Sequence, residues 1–108
     1  MAEIDIIRGR LEIGRKLTDL LLWNQVSMNV IPEVPGVYVL RNFPSPSGII
    51  YIGSSKNLRD RLQKHLTSGD IPEVTFFDWY PTETVDQARE QERNWILQYS
   101  PKYNVRLG

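Results

Sequence analysis

Apolar residues recur at helical spacing at the start of the chain, alternate through its middle, and return to helical spacing twice before the end. Ile4, Ile7, Leu11, Leu17 and Leu21 predict one helix over residues 2–23, with Gly14 its weak point and Arg8, Arg15, Lys16 and Asp19 on the other side. Pro32 and Pro35 make residues 24–35 a connector without regular helix. Two strands follow, residues 36–41 and 49–53. Val37 and Val39 face one way, Tyr38 and Leu40 the other, while Ile50 and Ile52 alternate with Ile49, Tyr51 and Gly53. The segment between them, Asn42-Phe43-Pro44-Ser45-Pro46-Ser47-Gly48, consists largely of turn formers, so the pair reads as a β-hairpin.

A helix over residues 58–66 is predicted from Leu58, Leu62 and Leu66, with Ser55 or Asn57 as its cap and Ser68-Gly69-Asp70 as its end. Val74, Phe76 and Trp79 mark a third strand over residues 73–79. Thr84 and Gln87 have capping-box spacing and open a last helix that runs to Tyr99 and stops before Pro101. The order is helix, strand, strand, helix, strand, helix, tail, which is an α/β (α+β) arrangement of a small sheet flanked by helices. With 108 residues the chain is expected to form one domain: residues 1–30 as helix and connector, and 35–105 as the core.

Composition excludes several classes. The chain has no cysteine, so it has neither disulfides nor thiolate chemistry. No apolar run approaches the roughly 18 residues of a membrane span. Glu3 and Asp5 stand where a secretory leader needs basic residues. The expectation is a soluble, cytoplasmic protein that makes no membrane contact. Net charge is zero, but Lys56, Arg59, Arg61, Lys64 and His65 cluster with only Asp60 against them. That run is either a solvated face or a local phosphate-binding patch.

Glu92 is the position most at odds with its surroundings. The last helix has its apolar stripe at Val85, Ala88, Trp95, Ile96 and Tyr99, and Glu92 falls in line with it. A carboxylate there is paired, protonated, metal-bound, or reaches to water from the rim. Arg61 and His65, four residues apart, emerge on one helix face, pairing a phosphate-matching fork with a group that titrates near neutrality.

Taken together, Gly36-Val37-Tyr38, Tyr51-Ile52-Gly53, Arg61, His65, Glu92 and Asn104 resemble the GIY-YIG nuclease family, with Val37 in place of the first isoleucine. The likeness covers roughly residues 35 to 105 and leaves the first helix unexplained. The spacing from Glu92 to Pro101-Lys102-Tyr103-Asn104 is similar to that of the nuclease domain of excision-repair incision enzymes. His65 is similar to a histidine of the homing and restriction members. The resemblance implies a compact domain with a three-stranded antiparallel sheet, here carrying an extra N-terminal helix.

It also implies a divalent-metal-dependent endonuclease acting on DNA phosphodiesters, with RNA left open. Tyr38, Tyr51, Arg61, His65 and Glu92 would be catalytic, and Glu92 would hold Mg²⁺ or Mn²⁺. Gly53, Ser54, Ser55, Lys56, Asn57, Lys64 and Asn104 would bind substrate, Asn104 by bracing the site. Some members carry a lysine where this chain has Ser54, so Tyr38, Lys56 and His65 all stay open as the general base. The competing reading is a non-catalytic nucleic-acid-binding or protein-interaction module on the same fold. The apolar face of the first helix is expected to pack on the domain or on a second copy of the chain, as a homodimer.

Overall fold

The computed structural model describes residues 20–105. Most of the helix expected over residues 2–23 lies outside the described residues, as do the packing and dimer roles expected of it. Its last residues depart from expectation. Leu21–Leu22 form a short strand, β1, rather than a helical turn. The expected three-stranded sheet therefore has four strands. The reason is non-local: Leu21 pairs with Phe77 and Leu22 with Phe76, and the Trp23 N–H donates to the Thr75 carbonyl at 3.0 Å. The Trp23 ring then meets Phe77 edge-on at 5.3 Å, so aromatic packing holds the segment extended.

One helical turn, α1 (Gln25–Met28), interrupts the segment read as a helix-free connector. The prolines that argue against helix begin only at Pro32. Before them, the Asn24 side chain accepts from the Ser27 N–H at 3.0 Å and starts the turn. Met28 and Ile31 are thereby buried.

The hairpin strands are β2 (Gly36–Arg41) and β3 (Ile49–Ser55), joined through a 3₁₀ turn at Pro46–Gly48. A bulge corrects the expected alternation in β3. Leu40 pairs with Tyr51 but Arg41 pairs with Ile49, so Ile50 is the extra residue. Ile49 and Ile52 thus join Val37 and Val39 on one face, while Ile50 and Tyr51 join Tyr38 and Leu40 on the other. The last strand, β4 (Phe76–Pro81), starts later than expected because Glu73 adopts a left-handed backbone, φ 71°.

The sheet order is β1-β4-β2-β3, with every neighbouring pair antiparallel. Helix α2 (Leu58–Ser68) covers the Tyr38 face through buried Leu58 and Leu62. Its predicted cap holds: Asn57 Oδ1 accepts from the Asp60 N–H at 3.0 Å. Helix α3 (Val85–Tyr99) covers the opposite face through Ala88 and Trp95, and its Thr84–Gln87 capping box is formed. A final turn, α4 (Lys102–Val105), returns to the free edge of β3.

The Asn104 side chain completes that edge. Its Oδ1 accepts from the Ile52 N–H at 2.8 Å and its Nδ2 donates to the Ile52 carbonyl at 2.9 Å, mimicking a further strand. Beneath the α3 side lies an ion pair that hydrophobic periodicity does not reveal. Arg41, fully buried, donates through Nε and Nη2 to both oxygens of Asp78 at 3.0 and 2.9 Å, and Nη1 reaches the Pro44 carbonyl at 3.3 Å. Tyr80 donates its hydroxyl to the same carboxylate. Among the described residues no helix is long and apolar enough to cross a membrane.

Candidate active site

Three rings gather on the α2 face of the hairpin. Tyr38 projects from β2, Tyr51 from edge strand β3, and His65 from α2. Their centroids lie 6.3 Å apart for the two tyrosines, 5.4 Å for Tyr38–His65 and 5.6 Å for Tyr51–His65. Gly53 permits this, since a Cβ there would lie 2.3 Å from the Tyr38 hydroxyl oxygen. The glycine of the second tripeptide therefore sits beneath the tyrosine of the first.

The Tyr38 hydroxyl lies 2.8 Å from His65 Nε2. On the other side of the ring, His65 Nδ1 lies 2.8 and 3.1 Å from the two oxygens of Asp70. Burial pushes the Tyr38 phenol far above the ordinary value near 10. Tyr51 adds to this, Arg61 opposes it, and Glu92 and Asp70 add smaller pushes. Burial also raises Tyr51, with Glu92 adding and Arg61 opposing. At neutral pH both phenols are protonated.

Glu92 approaches from the other side. Helix α3 packs on the sheet face opposite Tyr38, and Ser54, whose register partner is Val37, belongs to that same face. The Ser54 hydroxyl donates to Glu92 Oε1 at 2.5 Å. The site thus straddles edge strand β3, with the rings on one side and the carboxylate on the other. The charges of Glu92 and Arg61 both reach the two phenols across it. The Arg61 guanidinium is exposed and has no ion-pair or hydrogen-bond partner among the described residues.

Three adjoining concavities run along this edge. One, of about 390 Å³, is lined by Arg61, Lys64, His65 and Asp70. The next, about 360 Å³, shares Arg61 and Lys64 with it and adds Ser54, Ser55, Lys56, Asn57 and Arg89. The third, about 420 Å³, shares Ser54 and Arg89 and adds Glu92, Arg93 and Leu97. Five cations, Lys56, Arg61, Lys64, Arg89 and Arg93, therefore line these adjoining concavities together with Asp60, Asp70 and Glu92, on a chain of zero net charge.

Several residues expected to bind substrate also hold contacts within the chain. Gly53 is buried against Tyr38. Both polar atoms of the Asn104 amide are engaged by Ile52, which makes it a brace. Asn57 caps α2, and Ser55 Oγ exchanges hydrogen bonds with the Asn57 backbone. Ser54 orients Glu92. Lys56 and Lys64 remain as exposed cations, Lys64 in an exposed pair with Asp60 at 3.2 Å. Sequence reading missed Asp70, whose only signal is its place just after a helix-ending glycine. It also missed Arg89, which reads as an ordinary surface charge until the groove is seen.

Among the described residues there is no group of three or more His, Asp or Glu side chains that could cage a metal. The donor set is one carboxylate, Glu92, with one oxygen held by Ser54 and the other without a hydrogen-bond partner among the described residues. That fits a hard cation such as Mg²⁺, which keeps most of its waters and takes one or two protein carboxylates. It does not fit a dehydrated multi-ligand site.

The family model for the UvrC-like GIY-YIG domain matches residues 34–105. UvrABC system protein C from Acidothermus cellulolyticus is 35% identical over 85 residues, covering 70% of this chain and 13% of that protein. The protein of the same name from Thermobifida fusca is 36% identical over the same length, with the same coverage. The chain thus spans about an eighth of the length of these relatives. Crystal structures of the GIY-YIG N-terminal endonuclease domain of UvrC from Thermotoga maritima superpose on it. One, a point mutant bound to its catalytic divalent cation, gives a TM-score of 0.62 at 29% identity, covering 72% of this chain and 90% of that one. Another, bound to magnesium, gives 0.59 at 29% identity, covering 72% and 91%.

Proposed function

Since the chain belongs to the UvrC-like GIY-YIG family, we propose that it is a divalent-metal-dependent endonuclease that hydrolyses DNA phosphodiesters. The observation that carries this reading is the Tyr38–His65 hydrogen bond placed beside Arg61, unpaired among the described residues, with Glu92 facing it across β3. The cationic groove supports a polyanionic substrate, and DNA is the substrate that the likeness to excision-repair nucleases implies.

The chemistry follows from the groups present. Glu92 would hold Mg²⁺ or Mn²⁺; the similar UvrC domain is bound to magnesium as its catalytic divalent cation. The bound ion supplies positive charge for the phosphate and the leaving oxygen. Arg61 offers two parallel N–H groups to the scissile phosphate and neutralises the charge that builds on it. Lys56, Lys64, Arg89 and Arg93 hold flanking phosphates along the groove.

Burial raises the Tyr38 phenol and so disfavours a standing phenolate. Tyr38 relays instead. As the attacking water gives a proton to the Tyr38 oxygen, the Tyr38 proton passes to His65 Nε2. The water oxygen forms its bond to phosphorus, a bridging P–O bond breaks, and the leaving oxygen takes a proton from solvent. Tyr51, the more accessible phenol, hydrogen-bonds the phosphate or the water.

The test is supercoiled plasmid incubated with the chain and Mg²⁺ or Mn²⁺, with Glu92→Gln as control. Nicked or linear product from the wild type alone is the expected result. An intact plasmid, or equal cutting by Glu92→Gln, overturns the reading.

A further inference from the structure

We propose that Asp70 is a positioning residue for this reaction: it holds the proton of His65 on Nδ1 and so keeps Nε2 free to accept the proton of Tyr38. The inference rests on the nuclease reading above and adds a residue to it.

The geometry has three parts. First, the ring is fixed at both ends, with Tyr38 at 2.8 Å from Nε2 and the Asp70 oxygens at 2.8 and 3.1 Å from Nδ1. An ionised carboxylate can only accept, so Nδ1 is the protonated nitrogen and Nε2 of the neutral ring is the acceptor. Without Asp70 nothing among the described residues selects that tautomer, and the reverse one would aim an N–H at Tyr38 and block the relay.

Second, Asp70 is built into place. Helix α2 ends at Gly69 in a left-handed conformation, φ 63°, whose N–H donates to the His65 carbonyl at 2.9 Å. The chain therefore doubles back over His65, one turn earlier. Ser68 Oγ donates to Asp70 Oδ1 at 3.0 Å and accepts from the Asp70 N–H at 3.3 Å.

Third, the His65 ring is 6% exposed while Asp70 is about half exposed. Proton balance closes through this pair. The water proton moves to Tyr38, the Tyr38 proton moves to Nε2, and the resulting imidazolium is held beside the Asp70 carboxylate until it loses a proton to solvent. The cost of the buried positive charge falls because its counter-ion is already in place.

His65 is the only histidine in the chain, so its imidazole nitrogens can be read without assignment. The experiment compares wild type, Asp70→Ala and Asp70→Asn by ¹⁵N NMR of the imidazole, and by single-turnover cleavage of supercoiled plasmid with Mg²⁺. Melting curves check that each variant is folded, which the exposure of Asp70 favours.

The expected result has wild-type His65 protonated on Nδ1 in its neutral form, and both variants shifted towards the Nε2-protonated form. Cleavage should fall by about 10²-fold or more with little change in the DNA concentration at half-saturation. If the tautomer does not change, or changes without slowing cleavage, the positioning role is wrong while the nuclease reading stands. If the wild-type chain itself cuts no plasmid, the nuclease reading fails and the positioning role fails with it, whatever the tautomer.

Discussion

Tyr38 and His65 meet through a 2.8 Å hydrogen bond across 27 residues of sequence, and Gly53 is the residue that lets them. The Tyr38 hydroxyl occupies the space that any side chain at position 53 would fill. The Tyr38 ring is packed between Gly53 and His65, so it has no low-cost way to move aside.

Gly53→Ala tests that relationship. The added methyl would lie 2.3 Å from the Tyr38 hydroxyl oxygen and 2.4 Å from its ring carbon. The phenol must shift away from His65, so we expect cleavage to fall by at least about 10²-fold with a stability loss of about 1–3 kcal/mol. Plasmid nicking alongside thermal melts checks both; wild-type cutting by this variant would show that the Tyr38–His65 bond is dispensable.

Glu92→Gln keeps the shape of the side chain and its bond from Ser54, but removes the charge that would attract the cation. Cleavage should be lost with the fold intact, and Mg²⁺ titration followed by calorimetry should show weaker binding than wild type. Unchanged Mg²⁺ affinity would place the metal elsewhere.

Arg61→Lys keeps a positive charge but loses the planar fork. The exposed Arg61 guanidinium makes no hydrogen bond or ion pair among the described residues, so stability should stay within about 0.5 kcal/mol. Turnover should fall by roughly 10²–10³-fold, the range for losing one electrostatic stabiliser. Measuring kcat separately from Mg²⁺ affinity distinguishes this variant from Glu92→Gln, since only the first quantity should move.

Asp78→Ala addresses stability away from the site. It would strand the Arg41 guanidinium in the interior with its two carboxylate bonds gone. The expected loss is about 3–5 kcal/mol, the cost of removing one partner of a buried ion pair. Urea denaturation gives the value, and a loss below about 1 kcal/mol would mean that water reaches Arg41.

The Asp70 carboxyl predicts an acid-side effect. Partial desolvation works to raise it, but hydrogen bonding and charge from His65, then Ser68 and the backbone, hold it below the ordinary value of 3.8. A depressed carboxyl adds stability above its unfolded value, and that contribution disappears as pH falls through the folded value. Wild type should therefore exceed Asp70→Asn in melting temperature near neutrality. The gap should close only below about pH 4. A gap that instead widened on acidification would contradict the depressed carboxyl.

The elements that sequence alone determined are those whose cause is local. The Leu58–Leu62–Leu66 stripe with its Asn57 cap, the Thr84–Gln87 capping box and the two faces of β2 all depend on residues two to four apart. The chain states such spacings directly. The candidate site residues stand out in the sequence too, because the tripeptides, Arg61, His65, Glu92 and Asn104 occur in order along one chain. Tertiary structure decided their partners. Leu21–Leu22 became a strand because Phe76 and Phe77 lie beside them. Asn104 became an edge brace through the Ile52 backbone, 52 residues away, and Arg41 found Asp78 across 37. Asp70 lies only five residues from His65, yet their meeting depends on a left-handed glycine and on Tyr38 filling the other side of the ring. Helical and strand periodicities follow from local backbone geometry, whereas hydrogen-bond partners are chosen among whatever the fold brings within about 3 Å.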